Sequence, residues 1–535
     1  MKLLLTTIRS ECPETELSLK YLNSIFDSAP VDTVLKFYDE EVRDCSIFEE
    51  IVTSGNNIIY FQCDEFNEGR ILKLAELLKK ADFGAVIVLG GKQLAYDTKA
   101  FMLANPYVDF VIRGEVEMCA FDFLRNILTQ EFDFESVPGL AFRTQEGIVV
   151  NEIGEGIQME DLPFIYEVNQ LEDNAVVYYE TMRGTTDITI FTQKTDDTDV
   201  RILPIERVCT ELRYFLARKA EKVIFLDKWV NFNEERAYRL FEFLISNDNG
   251  YTTFVMDVDG DNLDEDTVRL LSEAREGLFE FNIEIGSTNA ETLAAMGRRE
   301  NVFKLLYNVT KLLQAGTVKV NPSITAGLPT ESERLFARSF NKVYGLVDGH
   351  GMNVKHAEIR KGSSAAENAE KLGYLYCSRT PNKVIATDKL TTLDLIHIKK
   401  VVQTADVYTS DGFGESLKRI MNDLGMKPYA LFSAINDYVE AQGLQDKLQG
   451  TDLYRVLYNC ACGLYDPDTD SRRLRKLSEV LMSEMADLMP EEVPGDRTDF
   501  EWEIEGVNTA QTAAEEVAEQ AEAAAEEVTE QAEAA

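Results

Sequence analysis

Short apolar runs alternate with amphipathic stretches along the first part of the chain. Residues 2–7 (KLLLTT), 34–39, 57–62, 85–89 and 107–112 are strand candidates; residues 16–26, 48–52 and 67–80 carry helical periodicity between them. This alternation predicts a parallel α/β sheet, doubly wound, with helices on both faces. Turn signals at Val137-Pro138-Gly139 and Glu146-Gly147 frame a short closing hairpin, and acidic residues with Pro163 mark a linker over 154–174.

A second α/β region is expected over 175–365. Its strand candidates are 175–179, 222–226, 253–256, 280–285, 319–324 and 353–359, with helical stretches at 204–218, 233–246, 264–274, 290–296, 302–315 and 331–347. Six strand–helix units fall short of the eight of a closed barrel and predict a partial (β/α)6 barrel. Residues 366–391 read as a connecting segment. Residues 392–490 are helical throughout, as an appended all-helical domain. Residues 491–535 form an acidic alanine- and glutamate-rich tail in which EEV-x-EQAEA recurs, from Glu515 and again from Glu526. Its one valine per repeat is too thin a seam for a coiled coil, and the tail is expected to be solvated.

Composition narrows the function classes. The chain of 535 residues carries 54 basic and 94 acidic side chains, a net charge of -40 that argues against nucleic acid as the main partner. No apolar run is long enough for a membrane span and no signal peptide is evident, so a cytoplasmic location without membrane partners is expected. Eight scattered cysteines then read as reduced and mostly buried. The three histidines, His350, His356 and His397, are not spaced as a zinc site.

In parallel α/β folds ligands bind beyond the carboxyl ends of strands, which singles out residues 62–67, 90–93 and 114–117 in the first region. The glycines there, Gly90, Gly91 and Gly114, permit close backbone approach, though G-x-G-x-x-G is missing after the first strand. In the second region the corresponding ends are 180–192, 227–231, 257–259, 286–289 and 326–329. Titratable groups that would converge in the barrel are Glu180, Asp227, Asp257, Asp259, Glu284 and His356.

One stretch ends the anonymity. Residues 178–192, YYETMRGTTDITIFT, together with the domain order, resemble the cobalamin-binding-domain radical S-adenosylmethionine (SAM) proteins, in the subgroup with an extra C-terminal helical domain. The family phrase resembles ETSRGCPFNCSYC. Glu180 to Gly184 match its opening, Phe191 its aromatic residue, and Thr185, Thr189 and Thr192 fall on its three cysteines. The resemblance implies a [4Fe-4S] cluster loop, but a threonine hydroxyl stays protonated near neutral pH and is too hard to replace a thiolate on iron. The cluster is therefore expected to be absent, with no metal site.

The remaining implications follow residue by residue. Asp227 falls where the family's second-strand motif holds the SAM amino group. Residues 281–289, FNIEIGSTN, resemble FEIGVQSTN, with Gly286 at the glutamine position, Glu284 at the glycine position and Ser287 kept. Gly327 lies in an intact AGLP phrase, and Arg298-Arg299 match a basic pair. In the N-terminal domain, expected to be cobalamin-binding-like, Gly90-Gly91-Lys92 and the Gly114-Glu115 loop resemble corrin-lining loops, but the D-x-H-x-x-G motif is missing. The resemblance thus implies a degenerate radical-SAM-like pseudoenzyme that binds, scaffolds or regulates. The alternative is a cobalamin- or SAM-dependent enzyme, for example in methyl transfer, using the same cavity. Cobalamin and SAM are the candidate cofactors; an active radical SAM homologue, another protein, or a small-molecule ligand are the candidate partners.

Overall fold

The computed structural model of the chain describes residues 1–489 except 28, 82–83, 169–170, 173, 195–197, 348, 350, 411, 446–447, 467, with 491 and 502 besides. The acidic tail expected over 491–535 otherwise lies outside the described residues. The chain divides into two compact units, Met1–Thr330 with Lys355–Lys389, and Glu331–Val354 with Leu390–Ala535.

The first unit opens with a sheet of seven strands: β1 (Lys2–Ile8), β2 (Asp32–Tyr38), β3 (Ile58–Gln62), β4 (Val86–Gly91), β5 (Phe110–Arg113), β6 (Leu140–Thr144) and β7 (Gly147–Val150). Their order is β2-β1-β3-β4-β5-β6-β7. The first five are parallel, and the hairpin β6–β7 closes the edge antiparallel. The strands read as continuous apolar runs because both faces are covered. Leu4, Ile59, Phe61, Ile87 and Leu89 enter one core, and their neighbours Leu3, Leu5, Ile58, Tyr60 and Val88 enter the other. The order reverses between β1 and β3, so their carboxyl ends form a topological switch point.

An open six-stranded sheet follows, built from β8 (Val176–Tyr179), β11 (Lys222–Phe225), β12 (Thr253–Asp257), β13 (Phe279–Gly286), β14 (Val318–Ala326) and β15 (Asn353–His356), in the spatial order β15-β14-β13-β12-β11-β8. Sequential order with parallel pairing from β8 to β14 is the partial barrel that the periodicity predicts. Two short antiparallel pairs had no sequence signal: β9 (Met182–Arg183) with β10 (Arg201–Ile202), and β16 (Leu375–Tyr376) with β17 (Val384–Ala386). A strand of two or three residues is too short for periodicity to register. The second of these pairs lies within the expected connecting segment, where Val384 packs against the open side of Gly327.

The second unit is helical: Glu333–Val347, Thr392–Ser410, Gly414–Leu424, Pro428–Gln442, Thr451–Leu464 and Ser471–Leu488. Its first helix follows the fifth barrel strand in the chain. Its aromatic side is nevertheless buried within the helical unit, where Phe336 and Phe340 meet Tyr429, and Tyr344 meets Phe432. None of the helices is long and apolar enough, among the described residues, to cross a membrane.

Candidate functional site

At the switch point the strand ends are filled by the chain itself. Asp64 is buried and accepts hydrogen bonds from Ser10 Oγ (2.5 Å), Thr15 Oγ1 (2.9 Å) and Asn67 Nδ2 (2.9 Å), and from the backbone N–H groups of Phe66 and Asn67. Asn67 Nδ2 also donates to the Ile8 carbonyl at the end of β1. A polar network this complete fixes β3 to β1. The glycines face the same interior. A Cβ on Gly90 would lie 1.9 Å from the Tyr60 hydroxyl, and one on Gly91, which has φ +154°, 2.4 Å from the Cys63 carbonyl oxygen. At Gly114 (φ +74°) the space is bounded by Ile153. Packing against the chain's own atoms accounts for glycine at 90 and 91.

Glu115 leads into a second cluster that joins the seven-stranded region to the barrel. Arg183, on β9, is the hub: its Nη2 donates to Glu117 (2.8 Å) and Glu180 (2.7 Å), and its Nη1 to Glu115 (3.3 Å). Arg201, on β10, holds the other side of Glu115. Burial alone would disfavour every charge here. The carboxylates of Glu117 and Glu180 outweigh it at Arg183, whose proton is held more tightly than in water, and Arg183 in turn lowers the pKa of Glu117. The sequence marks Glu180 and Glu115 singly. Arg183 stands in the sequence only within the matched Glu180–Gly184 phrase, and nothing local to it discloses that three carboxylates converge there.

The threonine loop has its hydroxyls tied to its own backbone. Thr185 Oγ1 accepts the Asp187 N–H (3.0 Å), Thr189 Oγ1 the Phe191 N–H (3.2 Å), and Thr192 Oγ1 the Thr189 N–H (2.9 Å). Thr192 also donates to the Asp187 carbonyl (3.3 Å). These are side-chain turns of the kind Ser and Thr favour outside helices. The residues present do not fit an iron–sulfur cluster: the three positions offer alcohols, and among the described residues no group of three or more His, Cys, Asp or Glu could hold a metal ion.

Asp187 pins this loop into an ionic lattice at the barrel mouth. Arg298, whose side chain is 2% exposed, donates from Nη2 to Asp187 (2.9 Å) and pairs with Glu284 (3.1 Å) and, through Nε, with Glu300 (3.2 Å). Lys228 reaches Glu284 (3.3 Å) and Asp187 (3.6 Å), and Lys355 reaches Glu284 (3.6 Å). Lys228 and Arg298 both lie over the Trp229 ring, at 5.3 and 5.5 Å from its centroid. Gly286, with φ +64°, leaves the room: a Cβ there would stand 3.4 Å from Arg298 Nη1.

Burial would raise the Glu284 pKa, but Lys228, Arg298 and Lys355 together bring it down to about 2. Glu300 goes the other way: burial pushes it up to about 7 against the pull of Arg298. Two buried polar atoms of the lattice, Arg298 Nη1 and Glu300 Oε2, have no hydrogen-bond partner.

Asp227 is buried at the end of β11 and acts as a clamp. It accepts the N–H groups of Thr181 (2.6 Å) and Met182 (3.1 Å) and the Thr181 hydroxyl, which in turn accepts from Arg236 Nη2 (2.8 Å). Burial raises its pKa to about 6. Ser287 is buried beyond β13, where its Oγ accepts the Asn289 N–H (3.1 Å). Gly327 (φ +87°) ends β14 beneath Val384 and Ala357, and His356 is the last residue of β15. Glu284 and Asp187 therefore meet. Glu180 belongs instead to the Arg183 cluster and Asp227 to the Thr181 clamp. Asp257 accepts from Asn282 Nδ2 (3.0 Å), and Asp259 accepts the Asp261 N–H (3.0 Å). Glu300 was missed by sequence reasoning; its only signal was its position directly after Arg298-Arg299.

Comparison with known proteins gives a consistent fold. The structure of the cobalamin-dependent SAM radical enzyme OxsB with aqua-cobalamin and SAM bound superposes with a TM-score of 0.57 at 11% identity, over 91% of this chain and 84% of that one. The radical SAM methyltransferase TsrM from Kitasatospora setae gives 0.55 at 14% identity, over 70% and 76%. By sequence, 87 residues are 30% identical to 2-(S-pantetheinyl)-carbapenam-3-carboxylate methyltransferase of Streptantibioticus cattleyicolor, and 94 residues are 29% identical to the cobalamin-dependent radical SAM methyltransferase TokK of Streptomyces tokunonensis. Those stretches cover 16% and 18% of this chain and span only 13% and 14% of the two relatives. Residues 370–533 match a family described as "Protein of unknown function (DUF4080)".

Proposed function

We propose that this chain, with the fold of the cobalamin-dependent radical SAM enzymes, is a degenerate member that works without their cluster, as a binding, scaffold or regulatory protein. The observation that carries the reading is the threonine loop. Its three hydroxyls at the cysteine positions serve as acceptors for the loop's own N–H groups, and Asp187 between them is tied to Arg298. A corrinoid held from below through imidazole does not fit either, because residues 1–153 contain no histidine. Protein partners, an active homologue among them, suit a fold whose threonine loop is closed by its own hydrogen bonds and by the Asp187–Arg298 ion pair.

Anaerobic reconstitution with iron and sulfide tests this directly. The expected result is substoichiometric iron and no cluster signal by EPR after reduction. A cluster near four irons per chain that disappears on replacing Cys209, Cys377, Cys460 and Cys462 overturns it.

A second reading, a SAM-dependent enzyme acting by polar methyl transfer, is favoured by one observation: the unpartnered Arg298 Nη1 and Glu300 Oε2. An unpaired donor on Arg298 and an unpaired acceptor on Glu300, two residues that pair through Nε and Oε1 at 3.2 Å, suit the carboxylate and ammonium of an amino-acid moiety. Calorimetric titration with SAM decides, since saturable binding lost in Arg298→Met supports it and no heat excludes it.

A further inference from the structure

The helical unit contains a chain of groups that the barrel reading does not use. Glu333, His397 and Ser433 come from three different helices, Glu333–Val347, Thr392–Ser410 and Pro428–Gln442. His397 Nδ1 lies 2.8 Å from Glu333 Oε1, and His397 Nε2 lies 3.2 Å from Ser433 Oγ. With the carboxylate accepting Nδ1–H, the imidazole presents an unprotonated Nε2 to the serine hydroxyl. Glu333 is itself held, since the Tyr429 hydroxyl donates to the same Oε1 (2.9 Å). Tyr429 is anchored through its N–H to Asn341 Oδ1 (2.8 Å) and through its ring to Phe336 and Phe340. The orienting carboxylate thus stands on a packed aromatic floor.

Two further observations make this more than a surface hydrogen-bond chain. Asn436, one helical turn after Ser433, is 5% exposed, and its Nδ2 has no hydrogen-bond partner. A buried amide donor left unpaired is destabilising, so a native structure that keeps one calls for an acceptor. Ser433 lies inside a helix, whose backbone N–H groups are already bonded. A side-chain donor is therefore what an oxyanion formed at Ser433 would need. The site is also open: His397 and Glu333 are about a third exposed, and Leu393, one turn before His397, is 75% exposed.

We propose that Ser433, His397 and Glu333 form a serine-nucleophile site for small apolar carboxylic esters, with Asn436 donating to the oxyanion and Leu393 receiving the acyl chain. The Ser433 Oγ–C bond forms as its proton passes to His397 Nε2. The tetrahedral intermediate collapses by breaking the C–O bond to the alcohol, which takes that proton. Water then repeats the sequence in reverse and releases the acid. Asp437 Oδ1, 3.7 Å from His397 Nε2, faces the imidazolium while it carries the extra proton. The site is independent of the barrel reading.

The test uses the full chain and a fluorescent alkyl fluorophosphonate, in which Oγ–P forms and fluoride leaves. One adduct is expected, located on Ser433 by peptide mass. His397→Gln slows it by about 10²-fold or more, the usual contribution of a general base. Asn436→Leu, whose melting point is compared first, slows it by about 10-fold or more. Ser433→Cys supplies a measurement that does not depend on the probe: iodoacetamide alkylates residue 433 faster in that variant than in Ser433→Cys with His397→Gln. No Ser433 adduct, an adduct equally fast in His397→Gln, or equal alkylation in the two cysteine variants overturns the proposal.

Discussion

Arg183 is a single residue on which three acidic side chains depend. Replacing it with Met leaves the fully buried Glu117, and Glu180 beside it, without their arginine counter-charge, while Glu115 keeps Arg201. Breaking one side of a buried ion pair in this way costs about 3–5 kcal/mol, expected as a lower midpoint in urea unfolding at pH 7. Adding Glu117→Gln should recover a large part of the loss, because the uncompensated charge is removed with it. If the double variant is no better than Arg183→Met, the cluster does not act as a unit.

Glu300 gives a pH-dependent counterpart. Burial raises its pKa from the ordinary glutamate value of 4.5 to about 7 on folding, so between those values the native state holds a proton that the unfolded state has released. The stability this supplies is present below pH 4.5 and is lost as the pH rises through 7. Glu300→Gln should therefore match the parent near pH 4 and exceed it by up to about 3 kcal/mol at pH 8, in denaturant midpoints at the two pH values. An advantage larger at acid pH would reverse the sign and sink the assignment.

Among the elements, the loop from Thr185 to Thr192 makes the sharpest prediction. Thr192 Oγ1 accepts the Thr189 N–H, whereas the Ile190 N–H is bonded to the Met296 carbonyl. Thr192→Val should speed amide exchange at Thr189 and leave Ile190 unchanged, and Thr192→Ser should restore protection. This loop also marks where sequence reading succeeded and where it stopped. The strands were legible because each buried face imposes its period, and the T-x3-T-x2-T frame was legible because residues 180–184 and 191 fix its register. Which hydroxyl closes on which N–H was not, since that depends on backbone turns without a period. The convergence of Asp187 with Arg298 and Glu284 was hidden for a related reason: they lie far apart in sequence and are neighbours only because β13 ends beside the loop. The parting of Glu180 from Asp227, both at strand ends, was equally invisible.

At the scale of the whole chain, the helical unit is discontinuous. Glu331–Val354 belongs with the residues from Leu390 onward, and Lys355–Lys389 returns to the first unit. A chain ending at residue 389 therefore lacks Tyr429 and Phe432, and the aromatic side of Glu333–Val347 loses its cover. Such a truncation should be recovered mainly as aggregate, with a monomeric, cooperatively melting product as the contrary result.

The same discontinuity has a consequence in time. On a ribosome, the helix Glu333–Val347 emerges before the Pro428–Gln442 helix that covers Phe336 and Phe340. At roughly 5–20 residues per second, the wait for that later helix is on the order of ten seconds. During it an apolar stripe of phenylalanine and tyrosine stands bare, and the first unit is complete only once Lys389 has emerged. Birth of this protein thus includes an interval in which a holdase, or the crowding of neighbouring nascent chains, decides its fate.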